Sequence, residues 1–251
     1  MKSIKYSIIG VTFILMIWWL ITFFEFVNPL FIPKITDTLK ALINLLSQRI
    51  TLESIFSTLY RSMAGMALSM LVGIPLGILL ARHKILYGIF KFPIEFFRAI
   101  PSSALFPLFI LIFGIGDLSK IGVVFYACTL ILIINAFYGA LPSQEKTDRI
   151  NMLKSFGANQ PQLFRYTIFQ DALSNISAGV RVCLSYSFAL VVVTEMFLGA
   201  EKGIGKLIYD FYLQYRIPEM YAVIIILGFI GFILNQAYLK LESKYFHWIN
   251  N

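Results

Sequence analysis

A chain of 251 residues that is 59% apolar and only 14% charged, with a mean hydropathy of +0.79, carries more apolar surface than a soluble domain of that size can hide. The composition therefore excludes a water-soluble globular protein and predicts an all-α membrane protein, with room for about six transmembrane helices at about 20 residues per crossing. The formal charge of +8 is scattered between apolar runs without a dense basic block. It fits membrane orientation and anionic lipid headgroups, not nucleic acid.

Taken in chain order, the first predicted crossing is 6–27. Lys2 and Lys5 precede an apolar stretch, Ile8 to Phe24, that is longer than a signal-peptide core and lacks a small-x-small cleavage site, so an uncleaved first helix is expected. Leu39, Leu42, Ile43 and Leu46 then recur at helical spacing opposite Asp37, Lys40 and Asn44. This is the pattern of a short amphipathic helix, either lying in the outer interface or packed on neighbouring loops. The next crossing is 60–81. The one after it, 85–115, is interrupted at Arg98 and Pro101, where proline removes a backbone donor and disfavours helix at Ile100. Broken backbone at membrane depth is tolerated only against protein or a wet cavity, which makes Arg98, Pro101, Ser102 and Ser103 candidate pathway residues.

A crossing at 119–141 follows, and then the longest polar stretch, 142–171, which reads as helix, turn, helix. Met152, Leu153 and Phe156 share one side of its first arm. Gly157 supplies the turn, Asn159 the cap, and Pro161 the first turn of the second arm. In the crossing at 172–198, Arg181, Ser185, Phe188, Val192 and Glu195 share a face at 100° per residue. Arg181 and Glu195 are about 21 Å apart along the axis and cannot pair. Either this face lines a pathway, or Arg181 caps carbonyls near the inner interface while Glu195 reaches outward. Ile204, Leu207, Ile208, Phe211 and Tyr212 repeat the amphipathic pattern, and 219–239 is the last crossing. The whole of 1–251 reads as one transmembrane domain with its core helices over about 60–239.

With the N-terminus cytoplasmic, Lys2, Lys5, Arg82, Lys84, Lys146, Arg149, Lys154, Arg165, Lys240 and Lys244 fall inside. Lys34, Lys40, Arg49, Lys120, Lys202, Lys206 and Arg216 fall outside, a modest positive-inside excess. Cys128 and Cys183 sit in apolar runs without metal or redox spacing and read as packing residues. No HExxH, GxSxG or GxxxxGK[ST] is present, and His83 and His247 fall at predicted cytoplasmic ends. No catalytic residue, metal ligand or cofactor is expected, and the chain is not read as an enzyme.

Four separated stretches carry a resemblance: LFIPKITDTLKAL near Leu30, TLYRSMAGMALSMLVGIPLGILLA from Thr58, FRAIPSSALFPLFILIFGIGDLSKI from Phe97 to Ile121, and TEMFLGAEKGIGKLIYD from Thr194. Together they resemble the permease subunits of binding-protein-dependent ABC importers, of the nitrate, sulfonate and taurine branch. The resemblance implies that 151–170 is a cytoplasmic coupling hairpin gripped by an ATP-hydrolysing subunit. Its signature is Glu-Ala-Ala, three residues, then glycine. Here Gly157 and Ala158 agree, as do Gln162, Leu163, Phe164 and Arg165, whereas Asn151, Met152 and Leu153 replace Glu-Ala-Ala.

The resemblance further implies cytoplasmic ABC ATPase subunits that bind the ATP, a second permease chain, identical or different, and an extracytoplasmic solute-binding protein. The setting would be the bacterial-type cytoplasmic (inner) membrane. Arg98, Pro101, Ser102, Ser103, Arg181, Ser185 and Glu195 are the pathway candidates. The alternative is an ATPase-independent channel or a structural membrane subunit with an eroded coupling motif. An intramembrane enzyme ranks third for want of catalytic residues.

Overall fold

The computed structural model describes residues 2–28, 30–197 and 199–245, which include helices and no strands. The helices are α1 (Lys2–Phe23), α2 (Ile35–Leu46), α3 (Arg49–Arg82), α4 (Lys84–Ala99), α5 (Phe106–Phe113), α6 (Asp117–Ala140), α7 (Gln144–Ser155), α8 (Gln160–Leu163), α9 (Gln170–Phe197), α10 (Ile204–Leu213) and α11 (Ile217–Tyr245). A tight 3-10 turn, Ser102–Leu105, leads into α5, and a wide i→i+5 turn, Phe164–Phe169, joins α8 to α9. His247 lies outside the described residues.

Four helical stretches are long and apolar enough to cross a bilayer: Arg49–Arg82, Asp117–Ala140, Gln160–Phe197 and Ile217–Lys244. Lys84–Ala99 and Ser102–Phe113 form a fifth crossing bent by 88°, and α1 contributes a shorter apolar run, Ile8–Phe23. The six expected crossings thus appear as four continuous ones, a broken one at Ile100–Pro101, and a shorter apolar helix. Several overrun their expected limits. Nothing between Arg49 and Ser62 breaks a helix, for example, so backbone hydrogen bonding in α3 begins well before its apolar run.

The chain divides into two compact units, residues 1–57 with 201–230, and residues 58–200 with 231–251. In the first, Trp18 Nε1 donates to Pro33 O at 3.0 Å, and Tyr221 Oη donates to Phe31 O at 3.0 Å. Glu53 accepts from both Arg49 and Lys202 at 2.6 Å. α2 buries Thr38, Ala41 and Leu45 and leaves Leu39, Ile43 and Leu46 exposed. Its large apolar side chains are thus the exposed ones. α10 does the reverse, burying Ile204, Ile208 and Phe211.

The second unit is built on α6 and α9. Val123, Val124, Cys128, Leu132 and Ala136 of α6, with Ala172, Cys183 and Val191 of α9, are fully buried in one cluster. Both cysteines are free, and each thiol points to the other's carbonyl. α3 approaches α6 through small residues at every fourth position: Gly65, Ser69, Gly73 and Gly77. Ser69 Oγ lies 3.1 Å from Phe125 O across the contact. A Cβ at Gly77 would stand 2.4 Å from Ile133 O and 2.7 Å from Ala136 Cβ, and one at Gly65 would stand 2.6 Å from Val124 Cγ1. Gly77→Leu is therefore expected to destabilise by about 1–3 kcal/mol or more through overpacking. Gly88→Leu, with nothing within 4 Å of the new Cβ, should be nearly neutral. Thermal unfolding in detergent compares the two.

Candidate functional site

The hairpin forms as its residues dictate. Pro142 ends α6, and the Lys146 side chain caps that helix's last carbonyls, donating to Gly139 O at 2.7 Å and Leu141 O at 3.1 Å. Ser143 caps α7. At the other end of α7, Gly157 takes φ +80°, Gly157 N donates to Lys154 O at 2.9 Å, and Ala158 N donates to Leu153 O at 3.0 Å. This is a Schellman stop, which favours glycine at that position. Asn159 then opens the second arm through a reciprocal capping box with Gln162, at 2.8 and 3.1 Å. Arg149 ties the arms together, donating to Asp171 Oδ1 at 2.7 Å.

The second arm is not a separate element of a loop. Gln160–Phe197 is one continuous helical stretch of 38 residues, so the expected boundary near 171 is absent. Of the coupling candidates, Gln162 and the buried Leu163 build the hairpin. Asn151, Met152, Gly157, Phe164 and Arg165 are exposed, and Leu153 and Ala158 half-buried. Met152 and Phe156 are 57% and 79% exposed, which leaves an apolar tip open among the described residues. Behind the tip, Thr167 Oγ1 and Asp171 Oδ2 are buried without a hydrogen-bond partner. They line a small cavity shared with Arg82 and Lys146.

Toward the opposite end of α9, Glu195 is 1% exposed and belongs to a buried charge cluster. Arg61 Nη1 donates to Glu195 Oε1 at 2.5 Å, Thr58 Oγ1 lies 2.9 and 2.8 Å from the two carboxylate oxygens, and Arg61 Nε donates to Asp117 Oδ1 at 2.7 Å. Lys120, assigned to the outside by charge parity, is 1% exposed and donates to Gly116 O at 2.9 Å. A lone carboxylate here would be costly, whereas opposite charges and hydroxyls together make its burial tolerable. Glu195 does not reach outward but stays buried in this cluster.

The face expected to run from Arg181 to Glu195 thus splits. Arg181 and Ser185 are exposed, while Phe188, Val192 and Glu195 are buried. The outward stripe of α9 is instead Ala178, Arg181, Val182, Ser185, Tyr186 and Ala189, which with Asn235 and Glu242 of α11 lines an open groove. Ser102, at the break in the bent crossing, hydrogen-bonds Tyr186 Oη at 2.9 Å and so adjoins this groove, with Pro101 and Ser103 exposed beside it. Arg98 lines a different cleft, between α4 and α6. Sequence reasoning missed Arg61. A usable signal was the polar stripe Thr58, Arg61, Ser62, Ser69 within an apolar run.

Bilayer-length helices, one crossing broken, a buried charge cluster and a capped helical hairpin are the features of a multi-pass membrane protein suited to transport. Residues 73–246 match the family of binding-protein-dependent transport system inner membrane components, and the chain belongs to that family. It is similar to the taurine transport system permease protein TauC of Escherichia coli (strain K12), with 26% identity covering 98% of this chain and 90% of that protein. It is also similar to the nitrate import permease protein NrtB of a Synechocystis strain, with 30% identity covering 75% and 68%. A solved structure of the MetNI methionine ABC transporter, inward facing, shares the fold with a TM-score of 0.66 at 20% identity, covering 76% of this chain and 94% of that one. The chain is a multi-pass inner-membrane permease subunit of an ABC importer, of the nitrate, sulfonate and taurine type.

Proposed function

We propose that the chain pairs with a second permease chain to form the passage for a small solute. An extracytoplasmic binding protein delivers the solute, and a cytoplasmic ATPase grips the hairpin at residues 151–170. On this reading the N-terminus is cytoplasmic. The chain binds no nucleotide of its own and needs no cofactor, while the partner binds and hydrolyses ATP. ATP does work here only by favouring one arrangement of the permease over another.

The observation that carries the reading is the hairpin itself. Its two arms are closed by a glycine stop and a capping box, joined by an ion pair, and tipped with exposed Met152 and Phe156. The Glu-Ala-Ala positions hold Asn151, Met152 and Leu153, so the contact is more apolar than a carboxylate would make it, and it suits an apolar cleft on the ATPase. Pathway roles fall to Arg181, Ser185, Ser102 and Ser103 along the α9 groove, with Pro101 breaking the helix beside them, and to Arg98 in the α4 cleft. Glu195 acts through the buried cluster.

The test is reconstitution with a cognate ATPase and binding protein. The complex should co-purify, and solute uptake into vesicles should require ATP. Uptake that proceeds without ATP would replace this reading with the channel alternative.

A further inference from the structure

The apolar run of α3 ends abruptly. Residues 62–81 carry no charge, and Arg82, His83 and Lys84 follow them, all three exposed. His83 takes an extended backbone that separates α3 from α4. On α3, Ile74, Ile78 and Leu79 stand eight, four and three residues before Arg82, on its own helical face. Facing them are Phe164 and Phe169 of the wide turn, whose rings stack at 6.2 Å. These residues, with Arg82 and His83 at one end, line an open groove of about 550 Å³, a volume in the range of ligand sites.

The groove is thus apolar along two turns of α3 and basic where the crossing stops. No acidic residue occurs between Glu53 and Glu95, nor between Asp148 and Asp171, so neither wall brings a negative charge of its own. Asp171 shares a small cavity with Arg82 but is already paired with Arg149. Arg82 forms no ion pair among the described residues. A soluble anion would use the basic end and leave the apolar walls wet. An uncharged apolar chain would leave the guanidinium without a partner. An amphiphile with an anionic head satisfies both parts, and basic pockets between membrane helices on the cytoplasmic side receive such heads.

We propose that this groove binds one anionic phospholipid. Its acyl chain lies along Ile78 and Leu79 against Phe164 and Phe169, and its phosphate sits at Arg82 and His83. The arginine offers the paired, charge-assisted donors that suit a phosphate. Ile74 to Arg82 is about 12 Å along the axis, so the groove takes part of one chain and leaves the rest in the bilayer. That the lipid comes from the inner leaflet rests on the reading of the hairpin as cytoplasmic, whereas the binding itself does not. Because Phe164 belongs to the second arm of the hairpin, the lipid joins that arm to α3.

The test needs no ATPase, so it can fail while the coupling reading stands, and the reverse. The full chain, purified in detergent, is titrated with dioleoyl phosphatidylglycerol and dioleoyl phosphatidylcholine, and retained lipid is counted by native mass spectrometry. Phosphatidylglycerol should be retained at about tenfold lower concentration than phosphatidylcholine. The double substitution Arg82→Gln with His83→Gln should bring the two lipids within about twofold, while Lys40→Gln, an exposed cation elsewhere, should leave the preference intact. Leu79→Trp, which fills the groove from an exposed position, should weaken retention of both lipids. Equal retention of the two lipids by the unaltered chain, or a preference that survives the double substitution, would overturn the proposal. So would displacement of phosphatidylglycerol by equimolar glycerol 3-phosphate, since the site would then read a free phosphate. A permease dimer that retains neither lipid would also overturn it, by giving the groove to the second chain.

Discussion

Glu195→Leu, with Arg61 left in place, is expected to destabilise the permease by about 3–5 kcal/mol, because it removes the carboxylate that faces a guanidinium in a low-dielectric interior. Arg61 is 5% exposed and Glu195 1%, so water cannot take the missing partner's place. Asp117 still accepts from Arg61 Nε, which sets the loss toward the lower end of that range. The double substitution Arg61→Met with Glu195→Leu should recover most of the stability, since two apolar side chains of similar volume remove both desolvation costs. Thermal unfolding of the four proteins in one detergent closes the cycle. If the two single losses simply add in the double variant, the pair is not coupled.

Gly157→Val is expected to lower ATP-driven uptake about tenfold or more while leaving the melting of the transmembrane bundle unchanged. At φ +80° a β-branched residue is strained by on the order of 1–3 kcal/mol, and a Cβ there meets nothing within 4 Å. The damage is therefore confined to the path of the backbone between α7 and α8. Gly157→Asn, which tolerates the left-handed region, should keep most of the uptake. Parallel uptake and ATPase measurements on the reconstituted complex check this. If Val and Asn reduced transport equally, the side chain rather than the turn would be at fault.

The elements that local chemistry dictates were legible before the structure. Gly157 followed by Asn159 and Pro161 could be read as a stop and a restart because each residue type has a backbone reason to be there. Pro101 likewise announced the broken crossing. What was not legible depended on which helices meet. Helical periodicity put Arg181 and Glu195 on one face, but a face has no environment until its neighbours are known. α3 brings Arg61 to Glu195 and buries that end of the face, while the Arg181 end stays open. The burial of Lys120 was hidden for a related reason, because counting charges by loop cannot detect a lysine folded back on Gly116 O one turn away. The stripe from Gly65 to Gly77 was visible as a spacing, but its meaning came from the Ile133 carbonyl 2.4 Å from where a Cβ would stand.

The second arm of the hairpin and the crossing that follows it share one unbroken helical stretch of 38 residues, about 57 Å at 1.5 Å per residue. Its one departure from α geometry, the wide turn at Phe164–Phe169, stays helical, so a stroke at one end is carried along the stretch. Axial displacement of Pro161 reappears at Thr194 and Glu195, less whatever the wide turn takes up. There the carboxylate is anchored to Arg61 on another helix, so the stroke either drags α3 along or ruptures the pair. The membrane-distal anchorage thus determines whether the helices of this unit travel together or slide past one another.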